Sequence, residues 1–321
     1  MSDPAIGAAP CRKKVIFLMT DFPADGWFVR SVGEDHQLWK IAGGRAVRSG
    51  VTAPERGPGS FFEAGPGETI WDVIRRDTPW LDGQIAPGPF VPVDNAPGIF
   101  FPRMARPIIG EGLTIARLPD GEQDRGYLRS SQTQLEALLS DLDAICRVVE
   151  PCAETLSVFG HEIRNLLILA ATEVEMHMAG VMIANGTTRE RLTTASYVKL
   201  AGPLRLRDYS VRFHRYPDVA TVTPFSGWDV QSPTQSLEWY DAYNAVKHNR
   251  GRQFVRATLA NAFQAVGACA ALLVAQYGDG GLSEELARSI DVAVTPWPLG
   301  ALYIAPQHFA DWAPTNNPDL A

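Results

Sequence analysis

The sequence predicts an α+β chain, with a β-rich N-terminal part followed by a predominantly α-helical bundle. Two observations carry that prediction. From about residue 13 to 118, short apolar runs are separated by Gly and Pro, whereas from 126 to 281 long segments repeat their apolar residues at helical spacing. A third is the stretch 236–277, which reads as two consecutive helices around which the bundle is organised. The expected divisions are a β-rich or irregular region over 1–125, a helical bundle over 126–281 with a short extended insertion near 207–228, and a tail over 282–321 that packs back.

Composition narrows the function classes. At 321 residues, 45% hydrophobic and 20% charged, the chain can build a core of ordinary globular type. Its formal charge of -7 argues against broad, non-specific affinity for nucleic acid, which depends on Lys and Arg neutralising phosphates. A local basic site stays open. Cys11, Cys146, Cys152 and Cys269 form no CxxC pair, so buried thiols are expected before zinc or disulfides. The most apolar run, 257–277, is broken by Asn261, Gln264 and Gln276, so no membrane span is expected. The first residues carry basic side chains after a short polar start with no signal-type stretch behind them, and the reading is cytoplasmic.

Taken in order, the runs at 13–20, 26–32, 36–42, 88–93 and 98–110 look like strands, and 68–76 is the one helical island before them all gives way at a charged linker, 120–125. Beyond it, Leu135, Leu138, Leu139, Leu142, Ile145 and Val148 mark a helix with Ser130 or Ser131 as its cap and Pro151 just past its end. The next helix, about 154–184, is the longest and ends at Asn185-Gly186, a pair suited to a left-handed cap. A shorter helix is expected near 188–199, then an extended excursion, then the paired helices of 236–277 and a small helix at 283–291. The proline-rich segment 296–306 cannot extend a bundle and is expected to fold back over the N-terminal half.

The polar residues of the bundle fall on two stripes. Tyr240, Asp241, Asn244, Lys247 and His248 share one face of their helix, and His161, Arg164, Asn165, Thr172 and Glu175 share one face of the long helix. Arg164 and Glu175 lie three turns apart, so their partners should come from the facing stripe, in a seam between antiparallel helices. Read as a site, the seam offers His248 or His161 for acid–base work and Arg164 or Lys247 to stabilise an anion such as a phosphate oxygen. Read as structure, it is a paired network that fixes helix register, or a solvated face.

Other chemistries are less well served. Glu173 and His177 are an i, i+4 pair, but no second pair accompanies them to hold a metal. There is no G-x-S-x-G, and the glycine-rich 57–69 lacks the lysine of a phosphate loop. HEIRNLL at His161, NAVKHNR at Asn244 and GDGG at Gly278 resemble, in order, three boxes of sensor histidine kinases. The stretch after Asn244 is alanine-rich and helical where that family has a strand.

A different resemblance covers about half the chain. The segments GHEIRNLLILAATEVE, TTASYVKL, YPDVATVTPFSGW and PTQSLEWYDAYNAVKHNR resemble a family of uncharacterised bacterial proteins, and YNAVKHNR followed by a small-residue helix is similar to the signature of HEPN-like helical domains. That resemblance implies an up-and-down bundle, commonly a homodimer. It also implies a metal-independent ribonuclease of a defence or toxin-type system, without cofactor, or else a non-catalytic module that holds RNA, a nucleotide or a protein partner. His248 matches the motif's histidine and Asn244 its polar residue, while Asp241 to Tyr243 stand where its arginine belongs. Arg164, next to Asn165, is the substitute from another helix. Arg207 to His214 fits the spacing but reads as strand. The expected catalytic set is thus His248, Lys247, Asn244 and Arg164, supported by His161, Asn165, Glu175 and Asp241, with no metal.

Overall fold

The structure, a computed structural model, describes residues 25–32, 35–51, 57, 59–78, 90–110, 118, 122–248 and 250–320. The strand expected at 13–20 lies outside them. The chain is α+β, and it divides into two compact units, Met1–Asp94 and Asn95–Ala321.

The first unit is a five-stranded antiparallel sheet in the order β4-β3-β2-β1-β5, formed by β1 (Gly26–Val32), β2 (Asp35–Ala42), β3 (Arg45–Arg48), β4 (Phe61–Glu63) and β5 (Phe90–Pro92). Gly43 and Gly44 link β2 to β3 at φ of +56° and +73°. Two consecutive positive φ values define the hairpin turn whose twist matches its strands, which glycine adopts without strain. A helix, α1 (Ile70–Asp77), starts at a capping box in which the Thr69 hydroxyl accepts from the Asp72 N–H and the Asp72 carboxylate accepts from the Thr69 N–H. It lays Ile70, Val73 and Ile74 over the sheet face carrying Phe28, Trp39, Ile41, Ala46, Phe62 and Phe90. Trp39 stacks on Phe62 and meets Phe90 edge-on, with ring centroids 5.6 and 5.5 Å apart.

The second unit begins with β6 (Ile99–Phe100) and β7 (Ile108–Ile109), then α2 (Glu122–Cys146), α3 (His161–Ala184) and the short α4 (Thr194–Tyr197). After β8 (Ser210–Phe213) come α5 (Glu238–His248), α6 (Arg250–Gln253), α7 (Leu259–Tyr277) and α8 (Glu284–Ser289). The tail supplies β9 (Ile290–Ala293), β10 (Tyr303–Ile304) and β11 (Ala313–Pro314). The apolar helix α7 is the centre: α2, α3 and α5 pack on it, and β8 crosses it at Gly267, where a Cβ would stand 3.6 Å from Val211 Cβ and 2.8 Å from Cγ2 of Val222, which bridges to Val211. Two of these helices, α3 and α7, are long and apolar enough to cross a membrane by length and composition, and the apolar window of α7 is 83% buried within the unit.

Several boundaries differ from expectation for identifiable reasons. Residues 95–110 belong with the helices because Phe100, Phe101 and Met104 are buried in the helical core. The proline-rich tail does fold back, onto these same residues: β10 pairs with β7 and β11 with β6, both in parallel. Helix α2 starts at Glu122, two turns before the expected serine caps, because Tyr127 and Leu128 find tertiary partners that outweigh the cost of Gly126. Helix α3 starts at His161, since 152–158 form turns and Phe159 bridges to Thr258. Its end is as expected, with Gly186 at φ +83°. Thr258 caps α7 by accepting from the Asn261 N–H, which breaks the helix expected to run on from Phe254.

Candidate functional site

The seam between α3 and α5 exists, and its chemistry is phenolic. Glu175 projects from α3 and accepts from the Tyr240 hydroxyl at 2.5 Å and from the Tyr243 hydroxyl at 3.4 Å; Lys247 donates to Tyr243 at 2.7 Å. With Glu175 beside Tyr240 and Tyr243, and the His161 ring 4.8 Å from that of Phe254, residue numbers rise in opposite directions along the two helices. Burial first, then the bond to Glu175, raises the Tyr240 phenol well above its ordinary range. The hydrogen bond to Tyr243 raises the Lys247 ammonium, and Lys247, Tyr243, Glu175 and Tyr240 form one continuous hydrogen-bonded chain.

The remaining expected site residues are dispersed. Asp241 pairs with Arg256 at 2.6 Å. Asn244 donates to the Tyr240 carbonyl of its own helix at 3.0 Å. Arg164 donates to Asn165 at 3.4 Å, and its Nε is buried without a partner among the described residues. His161 and Asn165 line a groove of about 530 Å³ between the end of α2 and the start of α3. His248 is exposed at the last position of α5. Among the described residues no hydrogen bond, ion pair or ring contact joins His248 to Arg164, His161, Asn165, Asn244 or Lys247.

Sequence reasoning missed a second constellation, centred on Arg103. The segment Phe101-Pro102-Arg103-Met104 is a turn closed by the Met104 N–H on the Phe101 carbonyl at 3.3 Å, and Arg103 occupies its third position at φ +57°. Glycine or asparagine usually stands there, because a larger side chain costs about 1–2 kcal/mol in the left-handed region. The turn is held from both sides. Tyr303 accepts from the Phe101 N–H at 3.1 Å and donates to the Met104 carbonyl at 2.9 Å, and Asn185 donates to the Pro102 carbonyl at 2.9 Å. The strained backbone aims the guanidinium inward, where its side chain is 8% exposed.

There the guanidinium lies 3.7 Å above the Tyr127 ring and donates to the Tyr277 hydroxyl from Nε and Nη2 at 3.1 and 2.9 Å. The carboxylate that faces it is that of Asp124, at 3.9 Å and half exposed. Helix α3 makes room with Gly180, where a Cβ would stand 2.1 Å from Arg103 Nη1. Behind Tyr127 sits His177, fully buried. Gln276 Nε2 donates to the Leu272 carbonyl at 2.9 Å, which fixes the amide, and also to His177 Nδ1 at 3.1 Å. The neutral ring therefore carries its proton on Nε2, 3.4 Å from Glu173 Oε1 and outside hydrogen-bond geometry. Burial pushes the imidazole down to about 3, with the Arg103 charge acting the same way, and burial raises the Glu173 carboxyl. The pair is thus a neutral imidazole facing a carboxyl group, not an ion pair.

Arg103 opens onto a cleft of about 1030 Å³ whose walls include Arg106, Tyr277, Trp297 and Trp312. Arg106 donates to the Ala301 carbonyl at 3.0 Å and lies over the Trp297 ring at 5.2 Å; Arg205 faces the same indole at 5.0 Å. Among the described residues no group of three or more His, Cys, Asp or Glu side chains could hold a metal. Comparison with protein-family models, with curated proteins and with solved structures finds no match to this chain in any of the three.

Proposed function

We propose that the Asn95–Ala321 unit is a binding module whose cleft takes a small organic anion with a planar apolar body. The observation that carries this reading is Arg103: a buried cation on a strained backbone, given space by a glycine and balanced by phenols more than by carboxylates. A buried charge without a close counter-ion costs several kcal/mol, and a ligand carboxylate or phosphate offsets that cost. Trp297 and Trp312 give the apolar walls that ligand pockets of this size have. Calorimetric titration with 2-naphthoate and with neutral 2-naphthamide tests the reading. Saturable binding of the acid alone, lost in Arg103→Met, supports it; equal binding of both, or naphthoate binding unchanged in the variant, rejects it.

A second reading keeps the HEPN-like bundle and assigns metal-independent RNA cleavage to the α3–α5 region. It is favoured by the exposure of His248 beside Lys247 at the end of α5, where a general acid or base can meet a phosphodiester. Arg164 and Asn244 would hold and orient that phosphate. Incubation of purified protein and of a His248→Ala variant with RNA decides it: cleavage by the first and not the second supports the reading, and equal or absent cleavage ends it.

A further inference from the structure

The arginines of the first unit are paired in inverse order of need. Exposed Arg45 meets Glu63 at 2.6 Å, half-exposed Arg75 meets Asp72 at 3.5 Å, and exposed Arg76 meets Glu68 and Asp77. Asp25 is engaged by the Gly43 N–H. Arg30, only 6% exposed, has no carboxylate among the described residues; its Nε has no hydrogen-bond partner, and its guanidinium faces the Phe90 ring at 5.5 Å. Half-buried Arg48 likewise has a buried Nε without a partner. Proteins ordinarily pair buried charges and leave exposed ones single, so a buried and a half-buried cation without a carboxylate call for an anion.

Register puts the two on one side of the sheet. Arg30 stands opposite Gln37 across β1 and β2, and Arg48 stands opposite Trp39 across β2 and β3. Gln37 and Trp39 are two apart and share a face, so Arg30, Gln37 and Arg48 surround one spot at the end of the aromatic core. Gln37 Oε1 accepts from the Trp39 indole at 3.4 Å, and its amide N–H groups add neutral donors to the set. The two guanidinium charges are near enough that Arg48, after burial, lowers the Arg30 pKa, and among the described residues no carboxylate pairs with either.

The geometry points to a phosphate-binding site on the sheet of the first unit, with Arg30 and Arg48 as its two cations and Gln37 as a neutral donor. A phosphate dianion suits this set because its oxygens accept the paired N–H groups of both guanidiniums at once and cancel both charges. The site is independent of the Arg103 cleft.

The test is titration of the full chain with inorganic phosphate at low ionic strength, followed by calorimetry and by phosphorus NMR line width. Saturable binding with a millimolar or tighter constant is expected, together with a rise in Tm. Arg48→Gln, half exposed and so compatible with folding, should weaken binding by about tenfold or more, the worth of one charge-assisted contact. Arg30→Gln should do the same, and each loss should persist when measured in an Arg103→Met background, which separates this site from the cleft. A parallel titration with glycerol 3-phosphate distinguishes a free ion from an esterified phosphate group as the occupant. Absence of saturable binding of either compound by the wild-type chain, or binding undiminished in Arg48→Gln, overturns the assignment.

Discussion

The α3–α5 seam and the Arg103 cleft are both polar places in one helical unit, and they are built in opposite ways. At the seam four polar side chains end on nearby partners: Asp241 on Arg256, Asn244 on its own helix, Lys247 on Tyr243 and Glu175 on two tyrosines. Nothing is strained and the backbone is helical throughout. In the cleft, the Arg103 backbone sits in the left-handed region, a glycine makes room for its guanidinium, and an imidazole is held neutral behind it. Satisfied networks fix register, whereas strain that the surroundings enforce marks a place kept for something else.

The contrast can be broken at several points. The largest effect should come from Gly180→Ala. Its methyl group would occupy the space of Arg103 Nη1, so the guanidinium must leave, and naphthoate binding should vanish while stability falls by about 1–3 kcal/mol. A variant that binds as the wild type does would show that Arg103 is not the anchor.

Next comes acid. Because the folded His177 pKa lies near 3, below the value of about 6.5 for an unfolded chain, the unfolded state takes up a proton that the folded state refuses. Stability should be full above about pH 6.5 and fall as pH drops towards 3, by a few kcal/mol in all. Glu173, raised by burial, acts in the opposite sense, so the comparison is made in a Glu173→Gln background. There, adding His177→Gln should flatten the urea-derived stability between pH 7 and pH 4; an unchanged slope would place the titrating group elsewhere.

Smaller again is Glu175→Gln. It removes the charge that receives two phenols and should cost about 1–2 kcal/mol by chemical denaturation, with naphthoate binding intact. If binding fell too, the seam and the cleft would be one functional unit. Smallest is His248→Ala, at an exposed position without a partner among the described residues, which should change stability by less than about 0.5 kcal/mol. A larger loss would mean that His248 is part of the seam's framework.

What could be read from the sequence follows the range of the interactions involved. The polar stripes on α3 and α5, the Asn185-Gly186 end of α3 and the extended insertion before α5 depend on spacing within about 30 residues, and spacing is visible in a sequence. The seam's partners were not, because Tyr243 reads as part of an apolar back yet turns its hydroxyl to Glu175. The cleft joins Arg103, Tyr127, His177 and Tyr277, and nothing periodic connects them. Two signals were present all the same. Gly180 inside a helical run costs about 1 kcal/mol against alanine and asks for a neighbour that needs the space; Gln276 in the mostly apolar α7 asks for a buried partner. The parallel pairing of β10 with β7 and of β11 with β6 spans two residues each and leaves no pattern to read. In the first unit, Gly43-Gly44 between alternating runs is the hairpin signal that places β3 next to β2.

The most direct measurement is a crystal structure of the full chain soaked with 2-naphthoate. The carboxylate is expected within hydrogen-bond distance of Arg103, with the naphthalene ring against the indole walls of the cleft. A ligand seated at the α3–α5 seam instead, with Arg103 still turned only to Tyr127 and Tyr277, would contradict it.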